Sequence, residues 1–185
     1  MSSADPSSAL LLIDVQQGFD DPAWWGARNN PGAEANIARL LAAWRAAGRP
    51  VFHVKHNSRN PRSPLHPANA GNAIKPGVAP RPGEPLFEKD VNSGFIGTAL
   101  EARLRQAGVT SLVIVGLTTQ HCVSTTTRMA ANLGFSVRVV SDATAAFDWK
   151  AHDGRLVPAE EMHYHSLAAL HGEFADVLTT DAVLA

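Results

Sequence analysis

The sequence has little cysteine, little tyrosine and no excess of charge of either sign. It contains one cysteine and one tyrosine among 185 residues, with 16 Lys and Arg against 17 Asp and Glu. A single cysteine excludes a disulfide framework and any metal site built from cysteines alone. The balanced charge excludes a polybasic nucleic-acid-binding protein, and the lack of an apolar run of about 18 residues argues against a membrane span.

What the sequence does contain is typical of one soluble globular domain. Hydrophobic residues make up 45% of the chain, and its length suits one domain with a substantial core. The segment before the first apolar run has no positive charge, so it lacks the features of a signal peptide. We therefore expect a flexible tail over residues 1–8, a single domain over residues 9–185 and a cytoplasmic protein.

Apolar runs alternate with helical patterns along the whole chain. Unbroken runs are typical of strands buried on both faces of a parallel sheet. Strands are predicted at Ala9–Ile13, Val51–Val54, Leu86–Lys89, Ser111–Val115, Ser136–Val140 and Val177–Leu178. Helices are predicted at 31–47, at Thr98–Ala107, within Thr118–Leu133 and at Pro158–His171. This alternation predicts the α/β class, as a single-domain, three-layer αβα arrangement with a mostly parallel open sheet of about six strands and helices on both faces.

Three reactive side chains follow three of the predicted strands. Asp14 follows the first strand, Lys89 ends the third, and Cys122 follows the fourth, at or near the start of a helix. In open α/β sheets, ligands bind beyond the carboxyl ends of the strands, so these side chains are candidates for one site. A helix N-terminus and a nearby ammonium are expected to lower the pKa of the thiol, and a carboxylate can accept its proton.

Each of these residues also has a purely structural interpretation. Aspartate favours turns and helix caps, and Lys89, between Glu88 and Asp90, fits a solvated charge at a sheet edge. A lone cysteine is commonly a small buried hydrophobic residue. Spacing alone leaves both interpretations open, although the coincidence of acid, base and thiol at one edge favours the functional one.

Three motifs in a fixed order resemble the isochorismatase-like cysteine hydrolase family, which includes nicotinamidases, N-carbamoylsarcosine amidohydrolases and streptothricin hydrolases. The resemblance extends over nearly the whole chain. The motifs are Leu12-Ile-Asp14-Val-Gln16-Gln17-Gly-Phe19, then Phe87-Glu-Lys89 with Asn92-Ser-Gly-Phe95, and finally Val115-Gly116-Leu-Thr118-Thr-Gln-His-Cys122-Val123.

The resemblance implies a catalytic triad of Asp14, Lys89 and Cys122. In this family the cysteine is the nucleophile, the aspartate accepts its proton, and the lysine stabilises the charged pair. The resemblance also implies a cis peptide bond between Leu117 and Thr118, with the backbone N–H groups of Thr118 and Cys122 as the oxyanion hole. The implied activity is hydrolysis of a small-molecule C–N bond (amide, lactam, carbamoyl or ureido) through a thioester, by a homodimer or homotetramer.

Three alternatives remain, one of which is an inert structural paralogue that only oligomerises and is disfavoured by the intact set of Asp14, Lys89 and Cys122. Isochorismatase-type hydrolysis of a vinyl ether occurs in the same family, but enzymes of that kind lack the cysteine, so Cys122 argues against it. A non-enzymatic doubly wound protein that binds a nucleotide or flavin phosphate is the third alternative. No Gly-x-Gly-x-x-Gly or Walker-type loop follows any predicted strand, which disfavours such a binding module.

The histidines do not predict a metal site, and no cofactor is expected. His53 and His56 lie three apart on a strand, a spacing that places them on opposite faces. Nicotinamidases carry an Asp-x-His metal-binding motif after the second strand, whereas Val54-Lys55-His56 lacks the aspartate. His163 and His165 are expected at the surface or in a contact between subunits.

Side chains in the loops after the strands are candidates for a substrate-binding pocket, since aromatic groups there can enclose a small acyl group. The candidates are Phe19, Trp24, Phe95, His121 and Phe147. Neighbouring residues on a helix point about 100° apart, so we expect His121 to line the pocket and not to activate Cys122 directly.

Overall fold

Six strands form one sheet in which every neighbouring pair is parallel. We describe residues 8–185 of the chain from a computed structural model. The strands of the sheet are β1 (Ser8–Ile13), β2 (Val51–His56), β3 (Leu86–Lys89), β4 (Ser111–Leu117), β5 (Ser136–Ala145) and β8 (Asp176–Leu178). Their order across the sheet is β3-β2-β1-β4-β5-β8. Two further strands, β6 (Trp149–Lys150) and β7 (Leu156–Val157), form a separate antiparallel hairpin.

Helices cover both faces of the sheet. They are α1 (Pro22–Trp25), α2 (Ala33–Ala46), α3 (Leu100–Gln106), α4 (Ser124–Asn132), α5 (Ala159–Ala168) and α6 (Thr180–Leu184). Buried residues of α3, α4 and α5 pack in one core cluster, and those of α2 and α6 pack in another. The predicted three-layer α/β domain is therefore confirmed.

Strand β1 shows why its sequence is an unbroken apolar run. It pairs with β2 on one side and with β4 on the other, and its apolar side chains are completely or almost completely buried. Leu11 and Ile13 belong to the α3–α4–α5 cluster, whereas Leu10 and Leu12 belong to the α2–α6 cluster. Because both faces of the strand are covered, every position from Ala9 to Ile13 holds an apolar residue.

Several element bounds differ from the sequence prediction. Strand β5 continues to Ala145, five residues beyond the expected end, because a register shift after Ile114 brings its second half alongside the end of β4. Gly116 lies at this shift with φ +123°, and a Cβ there would be 2.0 Å from the Ile13 carbonyl oxygen. Only glycine fits such a close approach. Strand β1 begins at Ser8, inside the expected tail; the rest of that tail lies outside the described residues.

The proline-rich segment between β2 and β3 has only two short 3₁₀ turns, Ala70–Asn72 and Pro76–Val78. It is nevertheless anchored to the domain. The Asn72 amide donates to the carbonyl oxygens of His56 (3.1 Å) and Leu65 (2.7 Å). The Lys75 ammonium contacts Asp20 at 2.5 Å and Glu34 at 2.7 Å. These contacts hold the segment against the end of β2 and the start of α2.

Glu34 makes the stability of this anchor dependent on pH. Burial works against its charge, but hydrogen bonds from Arg28 and Lys75 outweigh that effect and lower the pKa of Glu34 from 4.5 to about 2. The contribution of the ionised carboxylate to stability is therefore complete above pH 4.5 and is lost as the pH falls through about 2.

We expect Glu34→Gln to lower the free energy of unfolding at pH 7 by about 1–3 kcal/mol, because it removes hydrogen bonds to a charged group. The difference from the unmodified protein should narrow as the pH falls from 4.5 towards 2. Urea unfolding at pH 7 and pH 3 measures both values. Asp181→Asn, which removes an exposed pair with Arg39, is the control and should change little. An equal loss of unfolding free energy at both pH values would contradict the role given to the ionised Glu34 carboxylate.

Within residues 8–185, none of the helices is both long enough and apolar enough to cross a membrane.

Candidate active site

Three reactive side chains meet at one edge of the sheet. Asp14 directly follows β1, and Lys89 is the last residue of β3. Cys122 lies in a turn of π-helix, Thr119–Val123, that connects β4 to α4. Parallel strands present their carboxyl ends at the same edge of the sheet. Lys89 therefore becomes a neighbour of Asp14, which is 75 positions away in the sequence, and of Cys122, which is 33 positions away.

The Lys89 ammonium lies at the centre of this group. Its Nζ is 2.7 Å from Asp14 Oδ2, 3.3 Å from Cys122 Sγ and 3.1 Å from His56 Nδ1. The side chains of Asp14 and Lys89 are both completely buried. A buried ion pair is stable only where further hydrogen bonds satisfy both charges, and the two additional acceptors around Nζ meet that requirement for the ammonium.

Asp14 retains one free acceptor. Its φ of +51° is in the left-handed region, which aspartate tolerates better than most residues. Oδ2 accepts from Lys89, while Oδ1 is buried and has no hydrogen-bond partner within residues 8–185. The carboxylate, the Cys122 sulfur and a nitrogen of His56 all lie within 4.8 Å of one another. A carboxylate oxygen with no partner next to a thiol is placed to accept its proton.

The electrostatics differ from the sequence expectation. Burial raises the pKa of the Cys122 thiol well above its ordinary value, and the negative charge of Asp14 adds to this, outweighing the opposite effect of Lys89. For Lys89, burial opposes the charged form, but Asp14 and Cys122 outweigh burial and raise the pKa of the ammonium. The resting site therefore holds a neutral thiol beside an ion pair. The expectation of a lowered thiol pKa was wrong because it neglected burial and the carboxylate.

A cavity of about 220 Å³ opens onto this group. Asp14, His56 and Cys122 lie in its wall together with Asn92 and Thr118. The Asn92 Oδ1 is 3.8 Å from the Cys122 sulfur. The apolar part of the wall consists of Phe19, Trp25 and Leu65. The Cys122 thiol and a small, mainly aromatic surface therefore face the same cavity.

The predicted substrate-binding residues have different locations in the structure. Phe19 and His121 line the cavity. Phe147 is buried behind it, with its ring 6.0 Å from that of Phe19. Trp24 is 42% exposed and does not line the cavity; its neighbour Trp25 does. Phe95 also lies elsewhere, in the core beside Phe135.

Thr118 directly precedes the π-helical turn that contains Cys122. The Leu117–Thr118 peptide bond is cis, and the Thr118 carbonyl accepts from the N–H groups of His121 and Val123, both at 3.2 Å. Thr118 and Cys122, the residues of the expected oxyanion hole, both line the cavity. His121 places its ring edge-on to Trp149, with centroids 4.7 Å apart, and burial lowers the pKa of its imidazole.

Other histidines are tied to structural partners. His53 lies at 3.1 Å from Glu84, away from the contact that His56 makes with Lys89. His163 was expected at the surface or in a contact between subunits, but it is buried within the chain, and its Nδ1 forms a 2.9 Å hydrogen bond with the Thr119 hydroxyl. The polarity of histidine suggested exposure, whereas its partner Thr119, 44 residues away, could not be inferred from the sequence pattern.

Within residues 8–185, one group of three side chains has the donor spacing of a cation site: Asp14, His56 and Cys122. The Lys89 ammonium contacts an atom of each of them. The positive charge that these donors could bind is thus supplied by a side chain of the protein itself.

Sequence reasoning did not select His56, Asn92 or Trp25 as residues that line the cavity. Asn92 belongs to the motif that contains Lys89, and His56 ends the second strand, but position in the sequence does not show which side chains face the sulfur. Trp25 follows Trp24, and only the geometry of the short α1 helix decides which of two adjacent indoles lines the cavity.

The parallel sheet with a thiol, an acid and an ammonium at its carboxyl edge defines a single-domain α/β protein with an enzyme-like site. Comparison with known proteins identifies its family. A family model described as the isochorismatase domain matches residues 8–182. The chain therefore belongs to the isochorismatase family and is a hydrolase of that family.

Individual relatives match most or all of the chain. The chain is 49% identical over 180 residues to an uncharacterized isochorismatase family protein, YrdC, of Bacillus subtilis, covering 97% of this chain and 96% of the relative. It is 31% identical over 170 residues to Nicotinamidase 3 of Arabidopsis thaliana, covering 83% and 82%. A crystal structure of an isochorismatase-family protein from Chromobacterium violaceum matches with a TM-score of 0.94 at 46% identity, covering 100% of this chain and 95% of that one.

Proposed function

We propose that this protein is a cysteine-dependent hydrolase of small-molecule C–N bonds in amides, lactams, carbamoyl or ureido groups. The observation that carries the proposal is the position of the Lys89 ammonium, 2.7 Å from the Asp14 carboxylate and 3.3 Å from the Cys122 sulfur. Both Asp14 and Cys122 line the cavity. Acyl transfer to a thiol requires a nucleophile and a group that can accept and return its proton. Here the Cys122 thiol and the Asp14 carboxylate have these properties, and both contact the Lys89 ammonium.

In the proposed first step, Asp14 accepts the proton of Cys122 as the sulfur attacks the substrate carbonyl carbon. A C–S bond forms, and the carbonyl π electrons move onto oxygen. When this oxyanion collapses, the C–N bond breaks and Asp14 returns its proton to the departing nitrogen. The products of this step are an amine or ammonia and a thioester on Cys122.

In the second step, water hydrolyses the thioester. Asp14 accepts one proton from the water molecule, whose oxygen forms the new bond to the carbonyl carbon. The C–S bond then breaks, the proton returns to the sulfur, and the acid product leaves. One water molecule is consumed in each cycle, and the enzyme regains its neutral thiol.

The raised pKa of Cys122 supports this order of events. A thiol that stays neutral in the resting enzyme needs a base at the moment of attack, and Asp14 Oδ1 is buried close by without another hydrogen-bond partner among the described residues. Charge then passes from the carboxylate to the sulfur and onward to the substrate oxygen. Lys89 stays beside Asp14 and Cys122 throughout, so its ammonium offsets the negative charge at each stage.

Backbone donors would stabilise the substrate oxygen. We assign this role to the N–H groups of Thr118 and Cys122, since both residues line the cavity, Thr118 directly before the π-helical turn and Cys122 within it. Loss of one such donor typically costs about 10²–10³ in rate.

The apolar wall formed by Phe19, Trp25 and Leu65 suits a small, largely apolar acyl part. The amide chemistry in the name of the Arabidopsis relative Nicotinamidase 3 supports the same reaction class.

A panel of small amides, lactams and ureido compounds, assayed for release of ammonia or amine, tests the proposal. We expect at least one compound to be hydrolysed and its acyl group to be found on Cys122 by mass spectrometry after rapid acid quenching. Hydrolysis that leaves Cys122 unmodified in quenched samples and persists after its replacement would refute the thioester route.

The effect of Asp14 on the thiol yields a separate prediction. In Asp14→Asn, we expect alkylation of Cys122 by iodoacetamide at pH 7 to accelerate by about tenfold, the change that one pKa unit produces. The reason is that Lys89 then remains without the opposing carboxylate. Hydrolysis should nevertheless fall by about 10²–10⁴, because the proton acceptor is gone. Parallel slowing of both rates would contradict the proposed charge distribution.

A further inference from the structure

His56 contacts the site but has no part in the reaction proposed above. It is the last residue of β2, and its backbone pairs in register with Lys89 of β3. Its Nδ1 lies 3.1 Å from the Lys89 Nζ, and its ring lines the active-site cavity. A side chain placed between the substrate space and the ammonium can act on either of them.

The Lys89 ammonium has three protons and three neighbouring acceptors. These are Asp14 Oδ2, Cys122 Sγ and His56 Nδ1. Lysine is a compact charge on a flexible stem, and its head group takes the direction that its acceptors impose. With two acceptors, one N–H of the buried ammonium would have no partner, whereas the third acceptor satisfies all three protons and opposes any displacement of Nζ from Asp14 and Cys122.

The tautomer of His56 follows from its contacts. An ammonium can only donate, so Nδ1 must carry a lone pair and accept. A hydrogen bond with the backbone of Val91 also involves the imidazole, and the nitrogen left to donate to its carbonyl is Nε2. Both ring nitrogens are thus used, and the neutral form with its proton on Nε2 is the one that fits.

The backbone of His56 is also held firmly. The Gln16 side chain accepts from the His56 N–H at 2.9 Å and donates to its carbonyl at 3.0 Å. The same carbonyl accepts from the Asn72 amide at 3.1 Å. Gln16 is completely buried, so the segment after β1 and the anchored proline-rich segment together determine where the imidazole lies.

We propose that His56 is a positioning residue that fixes the direction of the Lys89 ammonium, and thereby its contacts with Asp14 and Cys122, through the Nδ1 lone pair. This role rests on the proposed function for its effect on turnover, but its effect on the sulfur can be measured without any substrate.

Charged groups around His56 make the arrangement sensitive to acid. Burial lowers the pKa of the imidazole, the positive charge of Lys89 lowers it further, and Asp14 and Asp90 act in the opposite direction. Above pH 6.5 the ring is neutral and can accept. Once it is protonated at a lower pH, Nδ1 carries a proton and the ring repels the ammonium, so the arrangement is lost.

The test replaces His56 by asparagine or by glutamine, whose side-chain amide groups each reproduce a different half of the imidazole. In His56→Asn, the side-chain oxygen is as many bonds from Cβ as Nδ1 is, so it can accept from Lys89. In His56→Gln, the amide reaches as far as Nε2 and can replace only the contact with Val91. His56→Ala removes both contacts. His53→Asn, at the other histidine of β2, is the control outside the site.

We expect the rate of Cys122 alkylation by iodoacetamide at pH 7.5 to fall by about tenfold in His56→Ala and His56→Gln, because the ammonium no longer favours the thiolate. His56→Asn should recover most of that rate, and His53→Asn should not change it. For any amide that the enzyme hydrolyses, kcat should follow the same order with little change in KM. The acid limb of the alkylation profile should shift to lower pH in His56→Asn.

Three results would overturn the proposal. Recovery by His56→Gln but not by His56→Asn would assign the role to the Val91 contact. A rise in KM with unchanged kcat would make His56 a substrate contact. Alkylation rates equal to those of the unmodified protein in all three His56 variants would show that Lys89 needs no third acceptor. If no amide is hydrolysed, the proposed function fails, and the alkylation series still decides the role of His56.

Discussion

Replacing Cys122 by alanine is expected to reduce hydrolysis by about 10⁴-fold or more, as removal of the nucleophile does in other covalent hydrolases. The physical reason is that no other described side chain in the cavity wall offers a thiol, and Cys122 is the only cysteine of the chain. The initial rate of amine release on the best compound of the panel measures the effect.

The controls for Cys122→Ala separate chemistry from folding. The thiol is buried at 8% exposure, so its loss leaves only a small void and the far-ultraviolet circular dichroism spectrum should stay unchanged. Incorporation of iodoacetamide should drop from one equivalent to none. Cys122→Ser should be almost as inactive, since a hydroxyl is a poorer nucleophile beside the same base. Turnover at the normal rate in either variant would refute the proposed mechanism.

Lys89→Met should have a large effect on both activity and stability. Methionine approximates the length of the lysine stem but leaves the completely buried Asp14 carboxylate without its 2.7 Å partner. Breaking a buried ion pair from one side typically costs about 3–5 kcal/mol. We expect a loss of that size in chemical unfolding at pH 7, together with a fall of about 10²–10³ in turnover because the negative charge of the transition state is no longer offset.

The double variant Asp14→Asn, Lys89→Met is the matched control. With both charges removed, most of the lost stability should return, whereas activity should not. An additive loss in the double variant would mean that the two side chains contribute independently and that the ion pair is not the source of the effect.

The raised pKa of Lys89 adds a test that depends on pH. Because the ammonium is favoured in the folded state over its ordinary value of 10.5, its stabilising contribution is complete below that pH and is lost as the pH rises through the folded-state pKa. The stability of Lys89→Met should therefore decline less above pH 10.5 than that of the unmodified protein.

Much of the site was predictable because it depends on chain direction. Unbroken apolar runs such as Ala9–Ile13 require burial on both faces, and that requirement predicts a parallel sheet. A parallel sheet brings the carboxyl ends of its strands to one edge, so Asp14, Lys89 and Cys122 were expected together before any distance was known. The order of strands along the chain and the residue that follows each strand are properties of the sequence alone.

Other properties depended on which side chains become neighbours across the fold. The neutral state of Cys122 follows from its burial next to Asp14, and the contact between His56 and Lys89 follows from the parallel register of β2 and β3. Whether Trp24 or Trp25 lines the cavity, and whether Phe95 lies in the pocket or in the core, was settled by packing. Composition and periodicity set the path of the backbone, whereas protonation and contact depend on short distances between groups far apart in sequence, and only the assembled tertiary structure determines these.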